Sequence, residues 1–121
     1  EMILAVDRFL DSGCHVQVST DDGSHGRKGF VSHLLKDYLE ISRPDFVYLC
    51  GPEVMLVEIE RICLAHSLSG QVSIEARMGC GIGACLCCSH EKEGAQGGKY
   101  VRVCVDGPVF GLGEVKLHGA N

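Results

Sequence analysis

Eight cysteines stand among the 121 residues, and four of them crowd into residues 80–88. The run Cys80-x4-Cys85-x2-Cys88 is followed by Cys104 after fifteen intervening residues. The first three have the C-x4-C-x2-C spacing at which one tight loop supplies three thiolates to a [2Fe–2S] cluster and a distant cysteine supplies the fourth. Gly79, Gly81 and Gly83 are expected to let that loop fold sharply and to turn main-chain N–H groups toward sulfur. Such donors offset the negative charge of a thiolate-bound cluster and help set its potential. Cys104 is expected on a neighbouring strand, where it closes the cage. The metal ligands are therefore read as Cys80, Cys85, Cys88 and Cys104. Cys87 is read as a bystander, because adjacent side chains point apart in most backbone conformations.

Other chemistry remains open at this point. Structural zinc also takes four cysteines, but usually as two separated C-x2–4-C knuckles rather than three ligands in one loop. A disulfide framework spreads its cysteines to staple distant loops, whereas Cys14, Cys50 and Cys63 sit singly inside apolar segments. Gly79-x-Gly81-x-x-Ala84 fits a loose dinucleotide fingerprint, yet thiolates occupy the turn where a pyrophosphate would lie. The six histidines are dispersed and form no ligand spacing.

The bulk numbers narrow the partners and the compartment. A formal charge of −5 with scattered lysines and arginines repels phosphate backbones and acidic lipids, so neither nucleic acid nor membrane is expected. No stretch is long and apolar enough to span a bilayer. No charged start leads into an apolar run, so no secretory signal is expected. One local thiol cluster with the other cysteines apart suits a reducing compartment, and a cytoplasmic location is expected.

Elements must position these residues. Met2, Ile3, Val6, Phe9 and Leu10 have helical spacing, and His15–Thr20 alternates as a strand does. Phe30, Val31, Leu34, Leu35 and Tyr38 predict a second helix. The apolar run Phe46–Cys50 suits a strand buried on both faces, and Gly51-Pro52 ends it. Met55, Leu56, Ile59, Ile62 and Cys63 trace a third helix. This order predicts an α/β fold: part of a doubly wound parallel sheet, followed by a small β-rich cluster domain. Boundaries are drawn at 1–70 for the α/β part and 71–121 for the cluster domain. In the latter, Val72, Ile74 and Ala76 alternate, Glu91–Lys99 is a polar excursion, and Tyr100–Val105 alternates again. Two strands and three helices do not bury a parallel sheet, and the glycine-rich turn of a first strand is missing. The N-terminal part of the α/β domain is therefore expected to lie outside this chain. Its uncovered sheet edge and helix faces predict self-association into a homo-oligomer.

Residues 77–88, Arg77-Met78-Gly79-Cys80-Gly81-Ile82-Gly83-Ala84-Cys85-Leu86-Cys87-Cys88, and then Val103-Cys104-Val105-Asp106-Gly107-Pro108-Val109-Phe110, carry a family likeness. They resemble the electron-transfer subunit of class B dihydroorotate dehydrogenase. Thr20-Asp21-Asp22-Gly23-Ser24, Gly26, Lys28-Gly29-Phe30-Val31 and Cys50-Gly51-Pro52 with Met55-Leu56 resemble the nucleotide-binding domain of that family and of ferredoxin reductases generally. The likeness runs over essentially the whole chain, and the cluster motif is its most specific part. Cys87 departs from it, since a small non-ligand residue is expected there.

The resemblance implies a C-terminal piece of such a subunit, holding the second half of an NAD domain and all of a [2Fe–2S] domain, with an FAD barrel elsewhere. It implies a relay from NADH through FAD and the cluster to FMN in a partner dihydroorotate dehydrogenase catalytic subunit, in pyrimidine biosynthesis. Cys50, Gly51 and Pro52 would lie near the nicotinamide, and Thr20 and Asp22 would approach the dinucleotide. Read without the likeness, Thr20–Ser24 is equally a solvated turn, and Cys50 a buried core thiol. The chain alone is expected not to oxidise NADH. A subunit of another NAD(P)H-linked reductase and a zinc-stabilised interaction module are the alternative readings.

Overall fold

The computed structural model describes residues 5–94 and 100–118. Met2 and Ile3 of the first expected helix, and 95–99 of the polar excursion, lie outside the described residues. The chain forms two compact units, residues 1–43 and 44–121. This division falls earlier than residue 70, because the strand after Gly70 pairs within the second unit.

In the first unit the helical spacing yields α1 (Val6–Asp11) and α2 (Val31–Ile41). Between them lie two short strands, β1 (Ser19–Thr20) and β2 (Arg27–Lys28), which pair in parallel. The alternating run from His15 thus forms a ladder only at its last two residues. Ser32 is the one buried residue among the described residues of this unit, and Ile41 of α2 is 88% exposed.

The second unit holds β3 (Val47–Cys50), α3 (Glu53–Ala65), β4 (Gly70–Ser73), β5 (Ser89–Glu91), β6 (Tyr100–Arg102), α4 (Val103–Asp106) and β7 (Val109–Gly111). Strands β3 and β4 are parallel and joined by α3, while β7 returns antiparallel on the far side of β4. Strands β5 and β6 form a separate antiparallel pair. The fold is therefore mixed α/β with small sheets. The core gathers Leu56 from α3, Val72 and Ile74 from and beside β4, Cys88, Val103, Phe110 and Val115. Residues of the cysteine-rich segment and of the α3 crossover thus share one apolar interior. Helix α3 also buries Glu60, whose carboxylate accepts the Gly113 N–H at 2.8 Å, so the buried acid keeps a partner.

Two expectations change here. Strand β3 is half-buried rather than buried on both faces: Leu49 packs on the core, while Tyr48 is 77% exposed and Cys50 is exposed. Alternation puts these two on the face that the core does not cover. Cys104, expected on a strand, sits instead in the helical turn α4. That turn forms because the Asp106 carboxylate reaches back to the Arg102 N–H at 2.8 Å, a local bond that competes with the ladder.

Candidate metal centre

The loop from Gly79 is built around the sulfur of Cys80. The N–H groups of Ile82, Ala84 and Cys85 point at Cys80 Sγ, at 3.5, 3.3 and 3.4 Å. Three convergent donors need a tightly curled backbone, and Gly81 and Gly83 take it at φ of 70° and 78°, in the left-handed region that glycine enters freely. Gly79 contributes through its missing side chain: a β-carbon there would stand 2.8 Å from Cys85 Sγ. The donors from Ile82 and then Cys85, joined by the Cys85 thiol and the Ala84 N–H, pull the Cys80 thiol down to about 6.

The second half of the arrangement comes from the end of the β5–β6 pair where Ser89 meets Arg102. The Val103 N–H donates to the Cys88 carbonyl at 3.1 Å, which ties α4 to the end of the loop. The N–H and the thiol of Cys104 favour the thiolate of Cys88 and hold its pKa below the usual range. The Cys104 thiol, in turn, is pushed up by Cys88 and by desolvation, against the Gly83 N–H that favours its thiolate. The four thiols, all free of disulfides, thus influence one another as two pairs, Cys80 with Cys85 and Cys88 with Cys104. The charge of Cys80 is felt at both Cys88 and Cys104. Among the described residues, no three His, Cys, Asp or Glu side chains are drawn tightly enough to hold a metal ion as they stand.

Arg102 was not singled out from the sequence. Its guanidinium pairs with Asp106 at 3.2 Å and donates to the Gly83 carbonyl at 3.3 Å, so one cation braces the loop against the turn that carries Cys104. The Arg102-x3-Asp106 spacing is the signal that reveals half of this brace. The bond to Gly83 is nonlocal and leaves no mark in the sequence.

The expected nucleotide contacts divide between the units. In the first, the Thr20 hydroxyl donates to the His25 carbonyl at 3.0 Å and accepts the His25 N–H. Asp22 accepts the Ser24 N–H at 2.9 Å, and that bond holds its carboxyl below the usual range. Both side chains close the turn. In the second unit, Cys50, Gly51 and Pro52 form the joint between β3 and α3. Gly51 is needed there at φ 150°, where a β-carbon would come within 2.4 Å of Met55 Cε.

Residues 75–116 match the family of the iron–sulfur cluster binding domain of dihydroorotate dehydrogenase B. The chain is 43% identical to the dihydroorotate dehydrogenase B (NAD(+)) electron transfer subunit of Caldanaerobacter subterraneus, over 91% of its own length. The likeness read from the sequence holds. The subunits of the same name from Desulforamulus reducens and Bacillus cereus are 39% and 40% identical over 89% and 97% of the chain. The chain spans 43%, 41% and 44% of the length of these three relatives, respectively. A solved chain from the NADH-dependent reduced ferredoxin–NADP oxidoreductase, studied for flavin-based electron bifurcation, superposes with a TM-score of 0.72 at 28% identity. That match covers 93% of this chain and 39% of the other. Among the described residues, no helix is long and apolar enough to cross a membrane.

Proposed function

We propose that Cys80, Cys85, Cys88 and Cys104 hold a [2Fe–2S] cluster, and that the chain is the electron-transfer part of an NAD-linked dihydroorotate dehydrogenase of cytoplasmic pyrimidine biosynthesis. The observation that carries this reading is the convergence of three main-chain N–H groups on Cys80 Sγ, in a loop whose end at Cys88 is tied by the Val103 N–H to the turn that carries Cys104. A [2Fe–2S] centre takes four thiolates. When bound, the cluster supplies a one-electron station between carriers that handle electrons in pairs.

The chain's own residues prepare the place. The N–H groups of Ile82, Ala84, Cys85 and Cys104 stabilise thiolate at Cys80 and Cys88, the form in which cysteine binds metal. Arg102 adds a positive charge beside Cys88 and Cys104 and braces the loop that carries Cys80 and Cys85. The core beneath Cys88 keeps one side of the site dry. Around this centre, residues 71–121 act as the cluster domain, and 1–70 as the second half of a doubly wound NAD domain. Thr20, Asp22, Cys50, Gly51 and Pro52 would approach NAD, FAD would belong to the full subunit, and an FMN-bearing dihydroorotate dehydrogenase subunit would receive the electrons. The end of β3 supports this, since ligands of α/β folds sit beyond the carboxyl ends of strands.

Metal analysis of freshly prepared, anaerobically reconstituted chain tests the centre. About two irons and two acid-labile sulfides per chain, with red-brown visible absorption, are expected. Zinc without sulfide would instead indicate a zinc-stabilised interaction module, and a colourless, iron-free chain would overturn the reading. The structural likeness to a ferredoxin–NADP oxidoreductase favours a second partner assignment, with the same cluster serving another NAD(P)H-linked reductase. Co-purification from the native host separates the two. We also propose self-association of the chain, supported by the exposure of Phe30, Ile41 and Tyr48 at 66%, 88% and 77%. Light scattering is expected to give a dimer or larger species, and a clean monomer would contradict it.

A further inference from the structure

Five cysteines lie between positions 80 and 104, and the centre described above uses four. Cys87 is the fifth. Its neighbour Cys88 is 5% exposed and packs with Leu56 and Val72 in the core, whereas Cys87 is exposed. The two adjacent side chains diverge, so Cys87 does not reach the place of Cys88.

Cys87 instead shares the space over Gly79 with Cys85. The point where a β-carbon on Gly79 would stand is 2.8 Å from Cys85 Sγ, 3.2 Å from Cys87 Cβ and 3.7 Å from Cys87 Sγ. Both sulfurs thus flank one niche, and that niche exists because residue 79 has no side chain. Leu86 between them lies at φ 59°, a bend that side-chain-bearing residues rarely take. A cysteine sulfur moves roughly 3 Å between staggered rotamers, which is the scale of this niche.

We propose that Cys87 is a reserve ligand for the place of Cys85. The inference rests on the reading of Cys80, Cys85, Cys88 and Cys104 as resident ligands. In the exchange, Cys87 would take the place of Cys85 as the thiolate that holds the iron. The proton lost by the Cys87 thiol passes to the released Cys85 sulfur, and no electron changes hands. The same geometry gives Cys88 no substitute. A loop with one spare thiolate keeps a cluster through loss or oxidation of Cys85 and not through loss of Cys88.

The test uses the full chain, reconstituted anaerobically with ferrous iron and sulfide, and reads iron, sulfide, visible absorption and electron paramagnetic resonance. Circular dichroism checks each variant's fold. Cys87→Ala is expected to leave iron and spectrum unchanged. Cys85→Ala, which has no donor atom at that place, is expected to retain most of the iron with shifted absorption and resonance. Adding Cys87→Ala to it lowers the iron roughly tenfold. Cys85→Ser is run beside Cys85→Ala, so that a folding loss in one background leaves the other decisive. Iron content that is the same with and without Cys87 in the Cys85 variants overturns the inference, as does loss of iron from Cys87→Ala alone. Absence of iron and sulfide from the unsubstituted chain is a different result: it removes the four-cysteine reading itself, and the reserve ligand with it.

Discussion

Replacing Cys88 with serine is expected to strip the chain of most of its iron, from about two atoms to a small fraction of one. The expectation follows from where this thiol sits. Its carbonyl accepts the Val103 N–H, and its thiolate is favoured by the N–H and thiol of Cys104, so Cys88 joins the cysteine loop to the turn α4. A serine oxygen there is a harder, less polarisable donor, poorly matched to an iron–sulfur centre. The adjacent thiol offers no rescue, because Cys87 is exposed while Cys88 is buried. Cys104→Ser should behave in the same way, since it removes the partner of the same pair. Iron and sulfide assays after anaerobic reconstitution read the effect, with circular dichroism to show that the fold persists. A Cys88→Ser chain that keeps full iron and an unchanged visible spectrum would remove Cys88 from the centre.

The second large effect concerns the fold rather than the metal. Phe110→Ala should cost about 3–5 kcal/mol, the usual range for emptying a buried phenylalanine site. Phe110 is 4% exposed and lies opposite Val72 in the β4–β7 ladder. Its ring presses on Gly107 so closely that a β-carbon there would stand 2.6 Å from two ring carbons. Few neighbours are placed to refill the space, because β7 is an edge strand held by one ladder. Domains of this size are stable by only about 5–15 kcal/mol, so the loss is a large share of the whole. Thermal melts should fall by more than about 10 °C. Val54→Ala is the control: that side chain is 57% exposed, and its loss should stay within about 0.5 kcal/mol. Equal melting shifts for the two variants would contradict the core assignment.

The two substitutions separate what the centre needs from what the scaffold needs. Cys88 belongs to both, being a paired thiol on one side and a core residue on the other. Phe110 holds the strand that follows α4, so its loss should loosen the platform on which Cys104 stands without touching a sulfur. A chain that unfolds at lower temperature yet still loads iron in the cold is the expected phenotype of Phe110→Ala.

The helices were legible because helix formation is a short-range matter. Apolar residues three and four apart mark α2 and α3 wherever the chain goes next, and the structure has them at Val31–Ile41 and Glu53–Ala65. The spacing of Cys80, Cys85 and Cys88 is equally local, and with the glycines between them it already implies a loop curled around sulfur. The Ile82, Ala84 and Cys85 donors at Cys80 bear that out.

Contacts between distant segments decided the rest. An apolar run such as Phe46–Cys50 shows that a strand forms, but its burial depends on what covers each face, and Tyr48 and Cys50 stay exposed. An alternating run such as Tyr100–Val105 reads as one strand, until the Asp106 carboxylate takes the Arg102 N–H and winds its second half into the turn that carries Cys104. Spacing along the chain named the cysteines. Only the fold, by bringing α4 beside the end of the loop, decided that Cys88 is tied to the turn of Cys104, that Arg102 braces Gly83, and that Cys87 shares the space over Gly79 with Cys85. The physical reason is range: hydrogen-bonded loops and helices are written in neighbouring residues, whereas the approach of cysteines sixteen residues apart depends on a core that the whole unit builds.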